Sequence, residues 1–218
     1  MFQRHSELLG ECMEKLHKAK VFVAGAGGLG CTVLSLLTRT GIGSLYFADS
    51  AFVDEPDLNR QILYDRDSLG KKKVEEALVK LKRINPSCDF LAIEGTIDDS
   101  FTLPDVDVVV DCLDNFKSKF VLDELCQRKS TPLVHAGVEG YTGQATTIVY
   151  GKNPALRDLF RGVKDHKIRQ VFPPLVVLMA SVQATEVIKL ICGMKDSLVG
   201  EILLVDLLRN TFERVRII

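Results

Sequence analysis

Hydrophobic positions along this chain fall into two alternating patterns: short continuous apolar runs, and longer stretches with apolar residues at helical spacing. That alternation is what buried strands linked by amphipathic helices produce. Residues 6–18 predict a mildly amphipathic helix, and residues 20–24 a short apolar strand that ends at Gly25. A helix beginning near Gly28 follows, with Val33, Leu34, Leu36 and Leu37 on its packed side. Gly41-Ile42-Gly43 turns the chain into a strand at 44–48, completing a βαβ unit. A helix rich in lysine and glutamate is predicted over 69–84, closed by Asn85-Pro86, with a strand at 90–94. The β-branched run 106–110, a helix over 117–128 and a strand at 133–135 repeat the pattern.

After Gly137 the pattern changes. Residues 143–150, 201–205 and 211–217 alternate as antiparallel strands do, predicting a second portion of sheet. Residues 151–174 form a long irregular connection, and such loops are often functional. The longest apolar stretch, 175–182, is far shorter than the ~20 residues of a membrane span; with the residues up to 191 it predicts one partly buried helix stopped by Gly193. The expected fold class is therefore α/β: a Rossmann-like, doubly wound, mostly parallel sheet with antiparallel strands towards the C-terminus. A single domain over 1–218 is expected, with a nucleotide-binding part at 1–136 and an antiparallel, substrate-binding part at 137–218.

The composition narrows the partners. With 28 basic and 29 acidic residues the formal net charge is −1, which offers nothing to nucleic acid or to an anionic membrane. The six cysteines are scattered without a C-x-x-C pair, so unpaired, mostly buried thiols are expected. The polar start Met1-Phe2-Gln3-Arg4-His5 lacks the apolar core of a signal peptide, and a cytoplasmic protein is expected.

The run Gly25-Ala26-Gly27-Gly28-Leu29-Gly30 between a strand and a helix presents backbone N–H groups to an anion, as a nucleotide-phosphate cradle does. Taken alone it would serve nicotinamide, flavin and other nucleotides equally. Asp49 ends the next strand, where a carboxylate can accept both ribose hydroxyls. Arg60, beside Asn59 and Gln61, and Lys73 are two cations downstream that suit a triphosphate and a departing pyrophosphate. Taken singly, Lys73 also reads as part of a solvated helix start with Lys71 and Lys72, and Arg60 as a surface residue. Asp111 and Asp114 flank Cys112 at the end of the 106–110 strand, the edge where such sheets place ligands. Asp114 is the candidate for Mg²⁺, which takes one or two carboxylates and leaves the rest of its shell to phosphates; its alternative role is a helix cap near Asn115. Cys112 reads as a small packing residue rather than a nucleophile.

In order, Gly-Ala-Gly-Gly-Leu-Gly, Asp49, Asp57-Leu58-Asn59-Arg60-Gln61, Gly70-x-x-Lys73-Val74, Ile84-Asn85-Pro86, Asp111-Cys112-Leu113-Asp114-Asn115 and Gln183-Ala184-x-Glu186-Val187-Ile188-Lys189 span nearly the whole chain. The series resembles the E1-like superfamily, which includes molybdopterin-synthase and thiamin sulfur-carrier adenylyltransferases and the ubiquitin-activating enzymes. The resemblance implies adenylation of a carboxylate by ATP and Mg²⁺ with release of pyrophosphate. By position it assigns the ribose to Asp49, the phosphates to Arg60 and Lys73, the magnesium to Asp114, and further nucleotide contacts to Gly25, Gly27, Gly28, Gly30, Asn59 and Leu113. It also implies a homodimer, with Arg4 reaching into the neighbouring subunit's site.

The chain departs from its relatives in three ways. The paired C-x-x-C motifs of zinc-holding members are absent, as is a cysteine in the crossover segment 151–174, where His166 lies near that position. Structural zinc and a thioester are therefore not expected, and His166 reads as a surface or substrate-contacting residue. Arg157, Arg161, Lys164, Lys167 and Arg169 make that segment basic, either to suit an anionic substrate or as incidental charge on a solvated loop. Asp57 stands where the family usually has Asn, and its charge would repel ATP unless bridged by metal or turned away.

The acid itself remains open at this point. A small-molecule carboxylate is narrowly favoured, on a resemblance to the E1-like enzyme that activates the guanylylpyridinol carboxylate in Fe-hydrogenase cofactor biosynthesis. The alternative is a small ubiquitin-like carrier ending in Gly-Gly. A nicotinamide-dependent oxidoreductase would leave Arg60, Lys73 and Asp114 unexplained, and a non-catalytic nucleotide-binding module would not need them.

Overall fold

The structure is a computed structural model that describes residues 1–163 and 170–217. The chain begins with α1 (Gln3–Leu9) and α2 (Cys12–Lys18), two short helices where one was expected. They are separated because Gly10 takes a positive φ of 52° and ends the first. The βαβ unit follows as β1 (Lys20–Ala24), α3 (Gly28–Thr40) and β2 (Ser44–Asp49).

Two single 3-10 turns, Glu55–Asn59 and Arg66–Ser68, precede α4 (Lys73–Ile84). This helix starts later than its pattern suggested, because Gly70 adopts a φ of 75° and Lys72 bridges to Phe52 in extended backbone. Lys73 is therefore the first residue of α4 and is buried, unlike its neighbour Lys71. The chain continues through β3 (Asp89–Glu94), β4 (Val108–Asp111), α5 (Phe116–Lys129), β5 (Leu133–Glu139) and β6 (Thr142–Ile148). It ends with α6 (Leu156–Leu159), α7 (Pro173–Cys192), β7 (Glu201–Asp206) and β8 (Thr211–Arg216).

All eight strands form one sheet in the order β3-β2-β1-β4-β5-β6-β7-β8. The first five strands along that order run parallel, and β5 to β8 pair antiparallel. The antiparallel strands thus extend the same sheet rather than forming a second one. Two apolar layers cover its faces. One contains Val21, Val23, Leu34 and Leu37 with Leu175, Met179 and Val187 of α7; the other contains Phe22, Val109 and Leu133 with Leu122 and Cys126 of α5 and Leu156 of α6. Every residue of β4 is buried, as expected for a central parallel strand.

By length and composition α7 passes for a membrane span, with 20 residues and a mean hydropathy of 1.8 over its most apolar window. Its buried polar residues belong instead to the sheet contacts. Glu186 accepts from the Thr147 hydroxyl at 2.7 Å and from the Leu198 N–H at 2.7 Å, while Gln183 donates to the Asp111 carbonyl at 2.7 Å.

The expectation that all six cysteines stay unpaired is corrected at one place. Cys12 on α2 and Cys192 at the end of α7 are joined in a disulfide, with Cα atoms 5.3 Å apart. They are 180 residues apart in sequence, and only the packing of α2 against α7 brings them together.

Candidate active site

The carboxyl ends of β2, β1, β4 and β5 open into one cavity of about 920 Å³, which continues onto the antiparallel strands. Its floor is the glycine loop. Gly25 has a φ of 97°, and a Cβ there would come within 2.8 Å of the Cys112 carbonyl oxygen. Gly30 is needed one turn later, since a Cβ would lie 1.9 Å from the Gly25 carbonyl oxygen. These two glycines let helix and strand approach closely enough for the loop to face the cavity. The first helical bond of α3 runs from the Cys31 N–H to the Gly27 carbonyl, so the N–H groups of Gly28, Leu29 and Gly30 precede the helical ladder. The Tyr64 hydroxyl bonds both the Ala26 and Lys73 carbonyls, at 2.8 and 3.1 Å, tying this loop to the start of α4.

Asp49 sits at the end of β2 with each carboxylate oxygen fixed by a backbone donor: Ala26 N–H at 2.8 Å and Ala51 N–H at 2.8 Å. Both oxygens retain acceptor capacity.

The cations meet at Asp57. Lys73 Nζ lies 3.0 Å from Asp57 Oδ2, Gln61 Nε2 donates to Oδ1 at 2.6 Å, and an Arg60 guanidinium nitrogen lies 3.7 Å from Oδ1. The charge that the sequence left unaccounted for is thus turned onto the cations rather than towards an incoming phosphate. Asp57 also caps the 3-10 turn through the Asp54 N–H at 3.1 Å. Asn59 is exposed and does not line the cavity; its Oδ1 accepts from Arg60 at 2.9 Å and so helps aim the guanidinium.

Asp114 is exposed on the cavity wall, next to the half-buried Leu113. The cap of α5 is not Asp114 but Asn115, whose Oδ1 accepts from the Ser118 N–H at 2.9 Å. The Asp114 carboxylate is therefore left at the cavity, where it accepts from Asn115 Nδ2 at 3.1 Å. Among the described residues no cluster of three or more His, Cys, Asp or Glu side chains suits a metal ion. A single carboxylate beside a phosphate cradle is what Mg²⁺ needs when phosphates complete its shell, so the donors present fit that ion.

Asp111, one strand residue before Cys112, serves a different purpose. It is fully buried; Lys119 Nζ lies 3.0 Å from Oδ2 and His135 Nδ1 lies 2.7 Å from the same oxygen. Burial would raise its pKa, but Lys119 and His135 hold it below the usual carboxylate range. Burial, with Lys119 close by, depresses the pKa of His135. Cys112 is buried with its thiol pushed well above the ordinary range by desolvation, which suits packing and not nucleophilic attack.

The cavity therefore gathers Gly25, Gly27, Gly28, Asp49, Arg60, Lys73, Leu113 and Asp114. Gly30 lies beneath it, and Arg4 lies elsewhere, exposed on α1. The neighbouring His5 bonds the Thr40 carbonyl at 3.2 Å, at the far end of α3. Tyr64, which ties the glycine loop to α4, and Lys119 and His135 of the Asp111 network were not singled out by motif or spacing. His166, Lys164, Lys167 and Arg169 lie outside the described residues.

The model of the ThiF family matches residues 3–218. The chain belongs to the ThiF family. It is 33% identical to the SAMP-activating enzyme E1 of Haloferax volcanii, over 98% of this chain and 83% of that protein. It is 31% identical to the molybdopterin-synthase adenylyltransferase of Haemophilus influenzae, over 88% of this chain and 83% of the relative. Its fold matches the crystal structure of E. coli MccB with succinimide at a TM-score of 0.89, with 22% identity, over 99% of this chain and 70% of that one. This ThiF-family chain is accordingly an adenylyltransferase of the E1-like kind.

Proposed function

We propose that this protein uses ATP to adenylate the C-terminal carboxylate of a small carrier protein, releasing pyrophosphate. The observation that carries this reading is a group of three neighbouring apolar side chains, Leu204, Ile202 and Val215, two of them exposed, on the sheet beside the cavity. In register across β6, β7 and β8, Gln144, Leu204 and Glu213 form one row and Thr146, Ile202 and Val215 the next. The first row lines the cavity, while Leu204 and Val215 are 40% and 43% exposed. A metabolite needs only the cavity; exposed apolar side chains beside its mouth, among polar neighbours such as Gln144 and Glu213, suit a folded partner whose tail enters. The two relatives, by name a SAMP-activating enzyme and a molybdopterin-synthase adenylyltransferase, support the same reading.

The acid's own oxygen attacks the α-phosphorus, so no protein base is required. Asp49 accepts the ribose hydroxyls, and the N–H groups opening α3 face the phosphates. Arg60 and Lys73 exchange their contacts with Asp57 for phosphate oxygens and offset the charge that builds on pyrophosphate. Asp114 would hold Mg²⁺, which when bound would offset the negative charge of the phosphates. Arg4, which does not line its own cavity, completes the site of a second copy. Alanine at Arg4 should then lower activity in a way that a Lys73→Ala partner subunit can complement in mixed dimers.

The test is ATP–pyrophosphate exchange with a carrier protein ending in Gly-Gly, the same carrier without its last two residues, and small acids including guanylylpyridinol. Exchange only with the intact carrier supports the proposal, and Leu204→Asp should then raise KM for the carrier alone. Exchange with a small acid but not the carrier would replace it with a metabolite-activating function.

A further inference from the structure

The buried network around Asp111 is satisfied at every polar atom but one. Lys119 Nζ donates to Asp111 Oδ1 and Oδ2 and to the Ala136 carbonyl, at 3.1, 3.0 and 3.2 Å. Asp111 Oδ1 also accepts from the Leu113 N–H at 3.1 Å. An ionised carboxylate can only accept, so the 2.7 Å contact makes His135 Nδ1 a donor and leaves Nε2 with its lone pair. Nε2 is buried and has no hydrogen-bond partner among the described residues. The network's remaining demand is for a donor.

The register locates that demand. Ala24, Asp111 and His135 lie side by side on β1, β4 and β5, so His135 stands about 10 Å across the sheet edge from the glycine loop. Asp49 and the ribose position lie on the opposite side of that loop, at β2. Ribose carboxylate, phosphate loop, Asp114 and His135 therefore follow one another across the edge, and His135 falls on the acyl side. It lines the cavity there, with its ring 5.2 Å from that of Phe160.

We propose that His135 is a specificity-determining residue: its Nε2 accepts a hydrogen bond from a neutral N–H or O–H donor next to the substrate's carboxylate. The inference rests on the carrier reading, in which that donor is the last amide N–H of a polypeptide. A charged ammonium is disfavoured by Lys119, which lies on the same network.

The experiment uses the whole protein and two synthetic peptides ending in Gly-Gly, one with its last amide nitrogen methylated. Wild-type pyrophosphate exchange should show KM for the methylated peptide raised roughly tenfold, because a buried acceptor is left unpaired. His135→Asn, which keeps a donor for Asp111 but lacks the Nε2 acceptor, should raise KM for the unmethylated peptide about as much and lose the discrimination. KM for ATP should not change, whereas a purely structural role would move it. In wild-type protein the ¹⁵N resonance of His135 Nε2 should shift with the unmethylated peptide alone, a readout that does not depend on the variant folding. Equal KM values for the two peptides would overturn the assignment while leaving the carrier reading intact. No exchange with either peptide or with an intact carrier ending in Gly-Gly would remove both.

Discussion

Asp57 holds Lys73 at 3.0 Å through one carboxylate oxygen and faces Arg60 through the other, so a single acid positions two cations that phosphates would need. Both members of the closer pair are largely buried, with side chains 10% and 14% exposed. In the proposed reaction the carboxylate therefore occupies, electrostatically, the place a triphosphate would take, and nucleotide would compete with it.

Asp57→Asn tests that competition. The amide keeps the turn and removes the charge, so KM for ATP should fall about fivefold, the scale of one charge-assisted hydrogen bond. Thermal stability should fall in parallel, since Lys73 then loses its counter-ion. Lys73→Ala should instead lower kcat for pyrophosphate exchange by about a hundredfold or more. A rise in the ATP KM of Asp57→Asn would show that the acid helps nucleotide bind.

Asp114 is a carboxylate on the cavity wall, separate from the buried Asp111 network. Asp114→Asn should raise the Mg²⁺ concentration needed for half-maximal exchange by roughly tenfold, with the fold unchanged by circular dichroism. An unchanged magnesium curve would move the metal role to another group.

Much of this arrangement is readable from residue order because strand ends and loops carry it. The glycine loop, Asp49 and Asp114 each follow a run whose period marks a strand, and a parallel sheet brings such ends to one edge. Asp57 shows the limit: its sign suggested repulsion, and only the fold reveals that Lys73 and Arg60 turn towards it. Asp111 and His135 are neighbours because β4 and β5 pair in one register, which no local pattern encodes. The separation of α1 from α2 at Gly10, and the late start of α4 after Gly70, depend on backbone angles that helical periodicity does not report.

Acid should weaken the fold through His135 before it does so through Asp111. The folded-state pKa of His135 lies below its ordinary 6.5, chiefly from burial. The unfolded chain then takes its proton first, so this contribution is complete above about pH 6.5 and is lost as pH falls from there towards the folded value. Asp111 is depressed below 3.8 and loses its contribution only as pH falls through its own, lower folded value. Urea midpoints at pH 7.5, 6 and 5 should decline with a slope of up to about 1.4 kcal/mol per pH unit from this histidine. His135→Gln should flatten that decline; an unchanged slope would mean that other groups carry it.

The Cys12–Cys192 disulfide makes the last prediction, because it ties the N-terminal helices to the C-terminal end of α7 across 180 residues of sequence. A link closing so long a loop restricts mainly the unfolded chain, and its loss typically costs about 2–5 kcal/mol. The double variant Cys12→Ser, Cys192→Ser should therefore melt well below the oxidised protein and show no further change with reductant. Wild-type protein should move from the higher to the lower melting temperature when reduced. Pyrophosphate exchange at low temperature should survive, because the glycine loop, Asp57 and Asp114 lie at the carboxyl end of the sheet, while the linked helices pack near the far end of α3. Peptide mapping without reduction should recover the two cysteines in one linked fragment. Equal melting temperatures in oxidised and reduced protein would show that the packing of α2 on α7, and not the covalent link, holds the N-terminal segment in place.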